Sequence, residues 1–432
     1  MKETVLAAAL ALSLVSPAVL AAETADVVVV GAGAAGLSAS IGAAARGAKV
    51  ILLEKTGDAG GNTAFASLGL NAAATPDQAA ARIMGDSATL FAADTIRYGH
   101  QFNDAALVRA MTVTSAPALA WLETLGAKLC LRITPVGSEA QPRLMAPCDG
   151  TAVGPLLIQV LKAKALQSQV DLRTQARATK LLLSGQKVDG IEVQTPKGRY
   201  QIKAKAVVLA TGGFAAYSSL VNQVHPSLKG IAPVGFRGAT GDGLVIARGA
   251  GAGLIDMDQL EIRPTVSVKG NVPIEEALRA RGGILLNKSG KRFTDETGIR
   301  DIVSQDILKQ SGHSAYLVID SAIFDADKNL QTYVDQGLMK RCGTVAAVAK
   351  AIGANSAAVK SSLNATPGPT TGSSIRISRA TKCGFGLIRA PGTSRPSSPA
   401  FSRHSGESKS MTALRFSGPA TPRSRGSTPR GK

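Results

Sequence analysis

The chain has 432 residues, 49 Lys plus Arg against 30 Asp plus Glu, 45% apolar and only 4% aromatic residues. That length supports one large or two modest domains with a sizeable core, and it excludes a disulfide-stapled mini-protein or a wholly disordered chain. The formal charge of +19 points to nucleic acid only until it is located: residues 361–432 hold twelve Lys or Arg and one acid, Glu407, leaving 37 basic against 29 acidic residues on the first 360. The body is moderately basic and no nucleic-acid partner is expected.

Residues 4–22 are apolar, follow Lys2, are broken by Pro17 and end in small residues, which reads as a secretory signal cleaved near Ala21 or Ala22. No other stretch is read as approaching the uncharged apolar length of about 20 residues that a span requires. The expectation is an exported, periplasmic protein with no stable membrane anchor after signal cleavage. Cys130, Cys148, Cys342 and Cys383 form no CxxC, no CxxCH and no zinc-ligand spacing, so neither a metal nor a covalent haem centre is expected. Cys130 with Cys148 is the only disulfide that spacing allows, and spacing leaves open whether they pair.

Asp26 to Lys55 reads as a buried strand of four valines, a turn on Gly31, Gly33 and Gly36, a small-residue helix from Leu37 to Arg46, a second buried strand from Val50 to Leu53, and an acid, Glu54. This is the full strand, glycine turn, helix, strand, acid pattern of a dinucleotide site. The glycines let backbone approach a pyrophosphate, the helix N-terminus supplies N–H donors, and Glu54 can accept from a ribose hydroxyl. Further polar glycine turns follow at Gly60 to Thr63, then Ser67 and Gly69, at Ala206 to Phe214 with Thr211 and Gly212, and at Gly238 to Gly243 with Asp242. So many loops suit FAD, a long ligand that needs lining throughout, better than NAD.

Between these loops, Ala118 to Leu125 reads as an amphipathic helix and Val170 to Tyr200 as a strand meander with turns at GQKVDG and PKG. The fold class is α/β: 1–22 a signal peptide, 23–256 an FAD-binding Rossmann-like domain that is incomplete, 257–360 an inserted α+β substrate or capping domain, and 361–432 a disordered basic tail.

DVVVVGAGAAG, EK, GGN, VVLATGGF, GATGDG, EEALR and GKRFTDETGIRD, in this order over roughly residues 26–355, resemble the flavoprotein of soluble fumarate reductases and flavocytochromes c. The resemblance implies FAD-dependent reduction of the C=C bond of a carboxylated enoate, with hydride from flavin N5. It implies that Arg300 is the proton donor, that Glu276 and Arg279 relay protons to it, and that Arg263, standing where the family has histidine, holds a substrate carboxylate together with Gly69. For the cofactor it implies Gly31, Gly33, Ala35, Gly36, Glu54, Lys55, Asn62, Thr63, Ser67, Gly69, Ala178, Thr211, Gly212 and Asp242. Glu275 replaces a family threonine and argues against assuming fumarate itself. With no haem motif, electrons come from a separate donor, for which a cytochrome c is one candidate. On spacing alone, Glu276 and Arg279 are simply an i, i+3 helix salt bridge. His100, His225, His313 and His404 are assigned surface or capping roles.

The family's closing His-His and Asn-Arg segments are absent. After about Leu363 the chain turns to Ser, Pro and Arg with no Asp, a composition that supports no packed core. A shifted reading frame is the reading this favours over a basic segment for nucleic acid or anionic lipid. Two alternatives to an active reductase remain: a non-catalytic flavoprotein remnant, and a desaturating flavin oxidase of the ketosteroid dehydrogenase or aspartate oxidase kind.

Overall fold

The structure is a computed structural model that describes residues 23–133, 141–229, 231–267, 272–327 and 329–364, with the backbones of 385–389 and 398–402. The expected signal peptide and His404 lie outside these residues.

Val27 to Val30 and Val50 to Leu53 are apolar at every position, so each strand must be covered on both faces. Strand β1 (Glu23–Val30) pairs in parallel with β2 (Val50–Leu53), Val27 opposite Val50 through Val30 opposite Leu53, and helix α1 (Ala34–Ala44) makes the crossover. Alternation then divides the strands between two cores. Val29, Val50 and Leu52 pack with Leu37 and Ile41 of α1, whereas Val28, Val30, Ile51 and Leu53 turn to Ile191, Val193 and Ile202 on the other face.

The chain continues through β3 (Leu70–Asn71), α2 (Pro76–Ala80), α3 (Ala88–Tyr98), α4 (Ala105–Thr124), β4 (Leu129–Arg132), β5 (Leu144–Pro147) and α5 (Val153–Gln167). The three short strands make an antiparallel sheet in the order β3-β5-β4, and Cys130 and Cys148 are joined there by a disulfide, which settles the pairing that spacing left open. Strands β6 (Asp171–Arg173), β7 (Arg177–Ser184), β8 (Lys187–Thr195) and β9 (Gly198–Leu209) complete a six-stranded sheet in the order β6-β2-β1-β9-β8-β7. Its first four strands are parallel, and β7 to β9 are the antiparallel meander. The expected turn at GQKVDG is smaller than its sequence suggests, because β8 already starts at Lys187.

Two helices depart from expectation. Helix α1 begins at Ala34, not Leu37, directly on Gly33. Helix α4 runs from Ala105, well before Ala118 and straight through Pro117; Asp104 caps it by accepting from the N–H groups of Ala106 and Leu107 at 2.8 and 3.1 Å. By length and composition α4 could cross a membrane, contrary to the reading that only residues 4–22 come near. Its buried residues Val108, Thr112, Ser115, Leu119 and Leu122 nonetheless form a stripe at spacings of four and three, the pattern of a helix laid along a core.

After α6 (Ser218–Val224), β10 (Ile231–Val234) and α7 (Asp242–Gly249), a second set of elements follows: α8 (Ala277–Ala280), β11 (Ile284–Leu286), α9 (Arg300–Lys309), β12 (Tyr316–Ile319) and β13 (Arg341–Cys342). Two short segments of the tail add strands to this set. Phe385–Arg389 is a strand, β14, antiparallel to both β12 and β13 and lying between them, and Ser398–Ser402, β15, runs parallel to β10. Phe385, Leu387 and Ile388 are a rare apolar run in the tail, and their backbone supplies the pairing that the facing edges of β12 and β13 require.

Candidate active site

The glycine turn after β1 shows why each glycine is there. Gly31 has φ +101°, and a Cβ on it would lie 2.5 Å from the carbonyl oxygen of Ala210; a Cβ on Gly36 would lie 1.7 Å from that of Gly31. Both are demanded by the fold. Gly33 is different: its φ of −78° suits any residue, and a Cβ there meets nothing nearer than 3.7 Å. The protein itself has no need of a glycine at 33. A ligand approaching the backbone closely does, and this is the fit expected for a dinucleotide pyrophosphate.

Around that gap the expected residues converge. Gly33 starts α1, which has no side-chain cap, and its first helical bond runs from Leu37 N–H to Gly33 C=O. The N–H of Ala34 goes to Thr63 Oγ1 at 3.1 Å, while Ala35 and Gly36 follow in the same turn, where intrahelical acceptors are lacking. Buried Glu54 is held at both oxygens, Oε2 accepting from Ala32 N–H at 3.0 Å and Oε1 from the N–H and hydroxyl of Thr56 at 2.9 Å each. Asn62 Oδ1 accepts from Phe236 N–H, tying the second glycine turn to the segment before Gly238. Thr211 abuts Gly243, where a Cβ would lie 2.0 Å from its hydroxyl oxygen. The loops therefore do meet at one place.

Some assigned residues are engaged within the protein. Lys55 Nζ binds Thr240 Oγ1 at 2.5 Å and Asp242 at 3.1 Å, and Arg177 Nε reaches the same Asp242 oxygen at 2.9 Å. Burial pushes the Asp242 carboxyl up, but bonds from Thr240, Lys55 and Arg177 together hold it below its ordinary value. Gly69 is required by packing, since a Cβ would lie 2.2 Å from Met145 C=O. The Ala178 side chain is buried in the sheet core, and Ser67 and Gly212 are exposed.

The second cluster gathers around α8 and α9. Arg300, the first residue of α9, donates from Nε to Glu276 Oε2 at 2.5 Å, and Nη2 is also 2.5 Å from that oxygen. Glu276 Oε1 accepts from Arg279 Nη2 at 3.0 Å, so the i, i+3 pair exists and Arg300 extends it. Arg279 is almost wholly buried and gives Nη1 to the carbonyl of Glu296 at 2.5 Å, while its Nε has no partner among the described residues. Burial draws the guanidinium pKa of Arg279 down, and Glu276, opposed by the like charge of Arg300, restores only part of it. For Arg300 burial also acts downward, but Glu276 and Glu261 outweigh it and hold the group above its ordinary value.

Half-buried Arg263 has no hydrogen-bond or ion-pair partner among the described residues, and burial with the charge of Arg300 lowers its pKa. Glu261, which the motifs did not single out, accepts from Arg300 Nη1 at 2.6 Å. The signal for it was present: in an extended segment, residues two apart share a face, and Glu261 stands two before Arg263. Histidines stand apart from this group, His225 bonded to Asp258 C=O, His313 to Leu308 C=O, and His100 to Asp301 at 2.8 Å.

Residues 26–380 match the FAD binding domain family. The chain is 42% identical over 318 residues to a fumarate reductase (cytochrome) of Shewanella frigidimarina, covering 73% of this chain and 55% of that protein. It is 37% identical over 331 residues to an NADH:fumarate oxidoreductase of Klebsiella pneumoniae, covering 76% and 35%. It therefore spans about half or less of the length of these relatives. Among solved structures, the open conformation of a flavocytochrome c3 fumarate reductase superposes with a TM-score of 0.72 at 31% identity, over 85% of this chain and 67% of that one. The chain belongs to the FAD-binding domain family, among its fumarate reductase-type oxidoreductases, and FAD is its cofactor.

Proposed function

We propose that the protein reduces the C=C bond of a carboxylated enoate. Bound FAD supplies the hydride. Unpaired Arg263 takes a substrate carboxylate in bidentate fashion and so sets which carbon faces the flavin. Hydride addition leaves carbanion character on the neighbouring carbon, which the positive charge of Arg300 stabilises and its proton quenches. The Glu276 carboxylate, bonded to both arginines, takes a proton from Arg279 and passes it to Arg300, and a proton from solvent restores Arg279. The observation that carries this reading is the continuous Arg279, Glu276, Arg300 chain beside an arginine with no anion of its own.

Residues 23–256 are read as the cofactor domain, with Gly31, Gly33, Glu54 and Thr63 nearest the dinucleotide, and 257–360 as the cap that brings the arginines. Export after loss of residues 1–22 and a separate electron donor such as a cytochrome c complete the proposal.

The test is oxidation of reduced methyl viologen by the flavin-loaded protein on addition of simple enoates. Arg300→Lys is expected to cut kcat by about 10² to 10⁴ with an unchanged flavin spectrum. Near-parental turnover removes Arg300 from the mechanism, and oxygen-dependent consumption of saturated acids instead favours a desaturating oxidase.

A further inference from the structure

Arg300 is held by two carboxylates on different nitrogens. Glu276 takes the Nε and Nη2 side, and Glu261 takes Nη1 at 2.6 Å. Both acids are partly buried, with side chains 28% exposed for Glu261 and 21% for Glu276, so water competes only weakly for either bond. The element that carries Glu261 is fixed to the helix that carries Arg300: Ser304 Oγ, one turn into α9, donates to Ile262 C=O at 2.9 Å. The same segment is anchored on its far side, where Ile274 N–H donates to Thr265 C=O at 3.0 Å and Ser267 N–H donates to Val272 C=O at 2.8 Å. Glu261 is therefore a fixed point, and Arg300 is suspended between it and Glu276.

A guanidinium bonded on one edge alone can still swing about that edge. Bonded on two sides it has one plane, and proton delivery to a single carbon demands a fixed plane. The second carboxylate also offsets the cluster's positive charge, adding its own to that of Glu276 beside Arg263 and Arg300. Arg263 alone is left without a bonded anion, so a substrate carboxylate is drawn to it and not to the donor.

We propose that Glu261 is a positioning residue of the reductase site, holding the Arg300 guanidinium in its delivery plane and keeping substrate carboxylate off it. The proposal rests on the reductase reading above and adds a residue to it.

The experiment compares Glu261→Ala and Glu261→Gln in the full, flavin-loaded chain. Gln retains an acceptor for Nη1 and Ala does not. Viologen-coupled reduction by Glu261→Ala is expected to lose at least tenfold in kcat, with flavin content within twofold of the parent, and to share with Glu261→Gln the raised KM or substrate inhibition that follows once the charge is gone. Glu261→Gln is expected to recover kcat to within about threefold of the parent but to raise KM or bring on substrate inhibition, because carboxylate now competes for Arg300. In parallel, nitrogen-15 arginine spectra read the Arg300 guanidinium directly: slow rotation in the parent and Glu261→Gln, fast rotation in Glu261→Ala. Parental kcat in Glu261→Ala, equal loss in both variants, or unchanged Arg300 rotation overturns the proposal. A parent that shows slow Arg300 rotation but reduces no enoate overturns the reductase reading instead, so the two failures are separable.

Discussion

Replacing Gly33 with alanine separates the demands of the fold from those of the cofactor. The new Cβ has ordinary van der Waals room, 3.7 Å from both Gly60 C=O and Thr63 Oγ1, at a backbone angle that alanine adopts freely. Stability of the flavin-free protein should hold or rise by about 0.4 to 1 kcal/mol, since alanine reduces the freedom of the unfolded chain. The methyl nevertheless projects where pyrophosphate must touch backbone, and FAD affinity should fall at least a hundredfold, about 2.8 kcal/mol. A bulkier residue should abolish flavin retention. Gly36→Ala is the contrasting control: its Cβ would sit 1.7 Å from Gly31 C=O, so strand and helix must separate whether or not flavin is present. Flavin titration of the stripped protein, with thermal unfolding of the same samples, reads both quantities. Full flavin affinity in Gly33→Ala, or an unfolded flavin-free variant, refutes the assignment of Asp26 to Glu54 as the pyrophosphate site.

Asp242 has a depressed carboxyl pKa in the folded protein, so its bonds to Lys55, Thr240 and Arg177 stabilise above the unfolded value of about 3.9 and are lost as pH falls through the lower folded value. The Tm gap between parent and Asp242→Asn should be constant from about pH 6 to 8 and close below about pH 4; a gap that widens in acid refutes this. Arg143 is fully buried between Asp86 at 2.6 Å and Asp94 at 2.7 Å, and Arg143→Ala should cost about 3 to 5 kcal/mol by stranding two buried carboxylates. A loss under about 1 kcal/mol in denaturant unfolding means the acids neutralise or hydrate easily. Deletion of residues 364–432, harmless if the tail is structureless, removes β14 from between β12 and β13 and should lower Tm and expose that sheet to proteolysis; an unchanged Tm shows that the tail adds no stability.

The sequence by itself determined what depends on near neighbours. Four valines followed by glycines and a small-residue helix specify a βαβ unit because side-chain alternation, helix pitch and glycine sterics act over a few residues, and the structure keeps that unit with only a three-residue shift in where α1 begins. The dinucleotide site was legible for the same reason: its pyrophosphate end is one continuous turn. Where the sequence marked a helix only from Ala118 to Leu125, tertiary packing carries α4 from Ala105 straight through Pro117. Tertiary structure alone decided the pairings. Arg300 meets Glu276 across 24 residues and Glu261 across 39, Cys130 in β4 meets Cys148 just after β5, and Lys55 meets Asp242 across 187. Such contacts are set by how α8, α9 and the 261–267 segment dock, and docking follows from the whole buried surface. That is why EEALR and GIRD could be read as motifs while Glu261, whose one local sign is its place two residues before Arg263, emerged as a partner of Arg300 only when the chain was folded.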